Sequence, residues 1–164
     1  LLAIDELYEF VGNQKKYTGS DIWSWFRLRC EIYLKKGMRN YIVCLSDGYL
    51  DFDKSIQANR PKQSYIPYSQ IMRFWDEPDW KETFDSEELG LLLDIPKDYS
   101  DYNVKFMMVE MNLRDERDNP EIIETYWRNW LSSMGITQAE FVYSDGDAID
   151  KIVEFISQDN NDEL

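Results

Sequence analysis

VKFMMVEMNLRDERDNPEIIETYWRNWLSSMGITQAEFVY, residues Val104–Tyr143, decides the fold. It opens on an apolar run, Val104, Phe106, Met107, Met108 and Val109, which Met111 and Leu113 continue. A polar loop, Arg114 to Asp118, follows. Asn119 then offers a side-chain oxygen to the first-turn N–H groups of a helix, and Pro120 suits the first helical position because its missing N–H costs nothing there. Ile122, Ile123, Tyr126, Trp127, Trp130, Leu131 and Met134 recur at helical spacing and form one apolar stripe. Glu124 and Arg128 stand four apart on the polar side, acid first, the better order for a surface pair. Gly135 can adopt the left-handed conformation that ends a helix. Ala139 to Tyr143 is a second short apolar run. Strand, helix, strand in that order predicts a right-handed crossover between parallel strands.

Outward from this unit, Ser144-Asp-Gly-Asp147 predicts a turn and N-cap, then a last helix with Ile149, Ile152, Val153 and Ile156 on one face and a frayed acidic tail from Gln158. Upstream, Ile4, Leu7, Tyr8 and Val11 mark a short helix ended by Gly12. Ser20 caps a second helix with Ile22, Trp23, Phe26, Cys30, Tyr33 and Leu34 on one broad face. Trp25, Leu28 and Ile32 lie beside that face, so the helix should be well buried, and Gly37 stops it. Tyr41–Leu45 and Tyr49–Phe52 flank Ser46-Asp47-Gly48, which predicts a hairpin with a type I′ turn. Residues 55–68, rich in Pro, Asn and Gln, read as the longest loop. Ser69–Asp76 reads as a short helix and Glu77–Trp80 as a turn. Asp85 or Ser86 should cap a leucine-rich helix through Leu89, Leu91, Leu92 and Leu93, ended at Ile95-Pro96. The expected class is α+β (mixed α/β) in one domain over residues 1–164. Its parts are a small mixed sheet, an N-terminal helical pair, a β-hairpin and a C-terminal β-α-β-α unit.

The 164 residues, 43% hydrophobic and 15% aromatic, supply enough apolar surface for a packed core and exclude a disordered chain. No apolar run approaches the length of a membrane-spanning helix. The first residue is Leu1, so a few preceding residues are expected to be missing or processed. Cys30 and Cys44 each sit among apolar residues and read as reduced core thiols of a cytoplasmic protein. The chain has no histidine, which excludes Ser-His-Asp and Cys-His catalysis and most structural zinc sites. No phosphate-binding glycine loop, nucleophile elbow or paired C-x-x-C occurs. No cofactor or metal is expected.

The net charge is −14 and lopsided: residues 1–60 hold eight acids against nine bases, whereas the rest hold 24 against nine. Direct nucleic-acid binding and attachment to an anionic membrane are therefore disfavoured. In a parallel unit the ligand edge lies beyond the carboxyl ends of the strands, which here receives Glu110, Asp115, Glu116, Asp145 and Asp147. Converging, these acids could hold Mg²⁺ for phosphoesterase or nuclease-like chemistry. Acids preceding a helix are also expected from the helix dipole alone. Asp51, Asp53 and Lys54 invite a similar nuclease comparison, but the matching partner acid and a basic nucleic-acid path are missing, and charge on an edge strand explains these residues better. The most unusual composition is Phe74–Glu88, where acids alternate with large aromatics. It yields a candidate binding surface of Trp75, Asp76, Glu77, Asp79, Trp80, Glu82, Asp85, Glu87 and Glu88, with Trp75 or Trp80 as anchor in an acidic rim. The expected function is that of a non-enzymatic acidic protein that sequesters a basic partner, a toxin or a nucleic-acid-binding enzyme. An immunity protein (antitoxin) or an inhibitor mimicking nucleic-acid charge has such a composition.

Overall fold

The structure, a computed structural model, describes residues 21–50, 62–93, 95–144 and 147–157. Outside these fall the expected helix 4–11, the Ser20 cap, the Asp51, Phe52, Asp53 and Lys54 positions, most of the 55–68 loop, Asp145 and the tail. In chain order the elements are α1 (Ile22–Leu28), α2 (Cys30–Tyr33), β1 (Asn40–Leu45), β2 (Lys62–Gln63), α3 (Tyr68–Arg73) and α4 (Trp80–Ser86). They continue with β3 (Gly90–Leu91), a single 3₁₀ turn (Ser100–Tyr102), β4 (Val104–Met111), α5 (Pro120–Ser133), β5 (Gln138–Tyr143) and α6 (Ala148–Ser157).

The main sheet is three-stranded and parallel, in the order β1-β4-β5, with Asn40 opposite Val104 and Lys105 opposite Gln138. The β4-α5-β5 crossover is as the sequence predicts. The Asn119 side chain accepts from the Glu121 N–H, Pro120 opens α5, and Gly135 follows it at φ +79°. Successive β4 side chains point to opposite faces. Phe106 and Met108 enter the large core with α1 and α5, while Met107 and Val109 meet Ala148, Ile152 and Phe155 of α6. Aromatics knit the large core: Phe26 packs edge-on to Trp130 at 5.0 Å, and Phe106 stacks on Trp127 at 5.9 Å. The Trp23 Nε1–H donates to the Leu92 carbonyl (2.9 Å) and the Tyr99 hydroxyl to the Phe26 carbonyl (2.9 Å), tying α1 to later segments. Arg128 blunts the outer edge of β5. It donates to the Ala139 carbonyl (2.9 Å), lies over Phe141 and pairs with Glu124, and a charge there opposes edge-to-edge pairing.

Four expectations are corrected. No hairpin forms among the described residues: β1 pairs in parallel with β4 and residues 46–50 run as irregular chain, while Asp51 and Phe52 of the expected second strand lie outside them. Gly48 does have positive φ (+93°), but for a tertiary reason. Its carbonyl accepts from the Trp127 indole (2.8 Å), and a Cβ there would lie 3.0 Å from Met111 Cε and 3.2 Å from Ile123 Cγ2. The leucine-rich helix is also absent. The helix runs earlier, over α4, and Glu88 (φ +52°) turns the chain into β3, which pairs in parallel with β2. Leu89, Leu91 and Leu93 are buried with period two, so the leucines follow a strand alternation. The cap of α1 is the Asp21 carboxylate, which accepts from the Ser24 N–H; that helix buries Trp23 and Phe26, and Cys30 follows, whereas Leu28, Ile32 and Tyr33 are exposed. Finally, α6 buries Ala148, Ile152 and Phe155 and exposes Val153 and Ile156, a face rotated from the expected one. Cys30 and Cys44 are free thiols, and burial pushes both up to about 12.

Candidate functional site

The carboxyl edge of the sheet carries a buried network centred on Asp118, only 3% exposed just ahead of α5. Its carboxylate accepts from the Tyr49 hydroxyl (2.5 Å), the Tyr68 hydroxyl (3.2 Å), the Trp75 indole N–H (2.8 Å) and the Asp115 backbone N–H (3.2 Å). One side chain thus ties together the chain after β1, the start of α3, the second residue beyond its end and the loop before α5. The Tyr49 hydroxyl also accepts from the Arg114 N–H (3.2 Å). Burial raises the Tyr49 phenol well above its ordinary range, and the Asp118 hydrogen bond adds to the rise; the Tyr68 phenol shifts the same way, burial first.

Two arginines roof this network. The Arg114 guanidinium lies 4.3 Å from the Tyr49 ring centroid and pairs with Asp47 (3.3 Å). Arg117 lies 3.6 Å over Trp75 and forks onto Asp115, Nε to Oδ1 at 2.8 Å and Nη2 to Oδ2 at 2.9 Å. That fork, with the Arg117 backbone N–H, holds the Asp115 carboxyl down at about 2. Glu110 sits at a bulge in β4 (φ +66°) and accepts from the Ser144 hydroxyl (2.8 Å). Among the described residues, no three carboxylates or thiols gather as a metal's ligands would, so Glu110, Asp115 and Asp147 form no such group, and Asp145 lies outside those residues.

The second region is α4 with its flanks. Trp80 and Phe84 are buried, and the Trp80 ring packs against Phe74 and Phe84. Trp80 therefore serves the core, and Trp75, half-buried beside Arg117, is the ring left near the surface. Asp79, Glu82 and Asp85 recur every third residue on the side of α4 opposite Trp80 and Phe84, all exposed, with Asp76 and Glu88 exposed at the flanks. No ion pair involves Asp79, Glu82, Asp85 or Glu88 among the described residues. Glu87 is taken up by a two-point pair with Arg73, and Glu77 accepts from the Thr83 hydroxyl. The nine sequence candidates thus divide into a core ring (Trp80), two internally paired acids (Glu77, Glu87), and a surface set of Trp75, Asp76, Asp79, Glu82, Asp85 and Glu88.

Sequence reasoning had no signal for Tyr49, Tyr68, Arg114 and Arg117. The tyrosines' partner is distant in sequence, Tyr49 standing 69 residues and Tyr68 50 residues from Asp118, and Arg117, though forked onto the nearby Asp115, lies over a ring 42 positions away. Asp118 itself is visible only as one acid among several before a helix. Comparison with protein-family models, with curated proteins and with solved structures found no match to the chain.

Proposed function

We propose that this chain is a non-catalytic binding protein that sequesters a basic protein through the carboxylates around α4. The observation that carries this is the division of α4. Trp80 and Phe84 anchor one side in the core, and the opposite side offers Asp79, Glu82 and Asp85 to solvent without internal counter-charges among the described residues. Maintaining unpaired like charges close together costs self-repulsion, and a complementary basic surface relieves it. The excess negative charge of residues 61–164 extends the field that steers such a partner. An inhibitory role toward a toxin or a nucleic-acid-binding enzyme, of the immunity-protein kind and in the cytoplasm, fits these features. No helix among the described residues is long and apolar enough to cross a membrane.

The experiment is capture from extracts of the source organism on immobilised protein, beside a variant with Asp76→Asn, Asp79→Asn, Glu82→Gln, Asp85→Asn and Glu88→Gln. The expected result is a basic protein retained by the parent, released by salt and lost on the variant. A partner held equally by both proteins, or indifferent to salt, contradicts the proposal.

A further inference from the structure

The contact between Arg117 and Trp75 has the form of a receptor already filled. The guanidinium carbon lies over the indole ring, 3.6 Å from its centroid, and two nitrogens fork onto both oxygens of Asp115. A guanidinium over an aromatic ring combined with a two-point carboxylate fork is the kind of contact by which proteins select arginine over lysine. Neither half of the receptor depends wholly on Arg117. Asp118 Oδ1 accepts from the Trp75 Nε1–H at 2.8 Å and fixes the ring from below. The Asp115 backbone N–H is itself tied to Asp118. The resident arginine, by contrast, is 57% exposed and can swing into solvent without disturbing the core. Arg114 makes a related contact over Tyr49, but that ring is buried and its hydroxyl accepts from the Arg114 backbone, so that contact is built in. Asp76, exposed and near enough to act on Arg117 electrostatically, adds negative charge beside the ring.

We propose that Trp75 and Asp115 form a binding site for a partner's arginine side chain, which Arg117 occupies in cis and vacates when the partner's guanidinium enters. This rests on the reading above that the partner is basic, and it names the group recognised. It also explains why an acidic binding surface keeps an arginine at its edge: Arg117 satisfies the site in the free protein and makes entry an exchange of like for like.

The test is titration with N-acetylarginine methylamide and its lysine counterpart, followed by the NMR shift of the Trp75 indole N–H, assigned with Trp75→Phe. With Arg117→Gln the site is vacant, and the arginine probe should bind about five-fold or more tighter than to the parent and than the lysine probe. Adding Asp115→Asn should abolish saturable binding. Equal binding by parent and Arg117→Gln, or by both probes, overturns the proposal. Should Arg117→Gln fail to fold, the parent decides: the arginine probe alone must shift the Arg117 Nε–H resonance, and no shift overturns the proposal. A variant neutralised only at Asp79, Glu82, Asp85 and Glu88, with Asp76 kept, retains this small-molecule site if the inference holds, so the result separates from that of the capture experiment.

Discussion

Replacing Asp118 by alanine should be among the most destabilising single changes outside the apolar core. The carboxylate is 3% exposed and accepts from two phenols, one indole and one backbone N–H. Removing it leaves the Tyr49 hydroxyl, on a side chain 5% exposed, without its acceptor, and a buried donor so stranded costs about 1–3 kcal/mol. The Trp75 indole is half-buried and can turn partly to water, so its loss is smaller. The missing carboxylate also leaves a void and frees the loop before α5 from the chain after β1. With the Tyr68 and Trp75 donors and the void added to the Tyr49 loss, the expected total is about 3–5 kcal/mol. For a chain of this size it corresponds to roughly 2–4 °C of melting temperature per kcal/mol. Asp118→Asn keeps one acceptor oxygen but turns an NH₂ toward donors, and should lose about 1.5–3 kcal/mol. Tyr49→Phe should lose about 1–2 kcal/mol. Urea unfolding of the three variants checks the order, alanine worst and phenylalanine mildest. An Asp118→Ala protein within about 1 kcal/mol of the parent would refute the network's role.

Three further outcomes follow from the same geometry. Gly135→Ala should destabilise by about 1–3 kcal/mol, since the residue has φ +79° and a Cβ would lie 2.7 Å from the Ser100 backbone nitrogen; thermal unfolding measures it. Asp115, held at about 2 chiefly by the Arg117 side chain, should titrate by NMR well below the ordinary 3.8, and Arg117→Ala should return it toward that value. Because the folded-state value is depressed, the Arg117–Asp115 contribution to stability is complete above the ordinary carboxylate range and disappears as pH falls through about 2. Trp80→Ala should cost about 3–5 kcal/mol of stability, whereas Glu82→Gln, on the solvent side of the same helix, should leave urea unfolding unchanged while weakening capture of the basic partner.

The crossover from Val104 to Tyr143 was legible because its signals are local. Asn119, Pro120 and Gly135 each act through the backbone of their own turn, and the α5 stripe is long enough for its period to stand out. The segments misjudged are those where a distant partner sets the conformation. Asp47-Gly48 has the chemistry of a hairpin turn, yet Gly48 is shaped by Trp127 and Met111, far along the chain. The leucines from Leu89 to Leu93 suit a helix or a strand, and pairing with Lys62–Gln63 decides for a strand. The acidic–aromatic segment was recognisable as unusual, but only packing separates Trp80, in the core, from Trp75, held by Asp118 at the surface. The network around Asp118 could not be read at all, since a buried carboxylate and a solvated one look alike until their partners are placed.

The most direct measurement is the dissociation constant for the captured basic protein as a function of salt, determined for the parent and for the variant with Asp76, Asp79, Glu82, Asp85 and Glu88 made neutral. The expected result is tight binding by the parent that weakens steeply with ionic strength, and a variant with both the affinity and the salt slope largely gone. A variant that binds like the parent, while Glu110→Gln or Asp147→Asn alone removes binding, would place the function at the sheet edge and contradict the account.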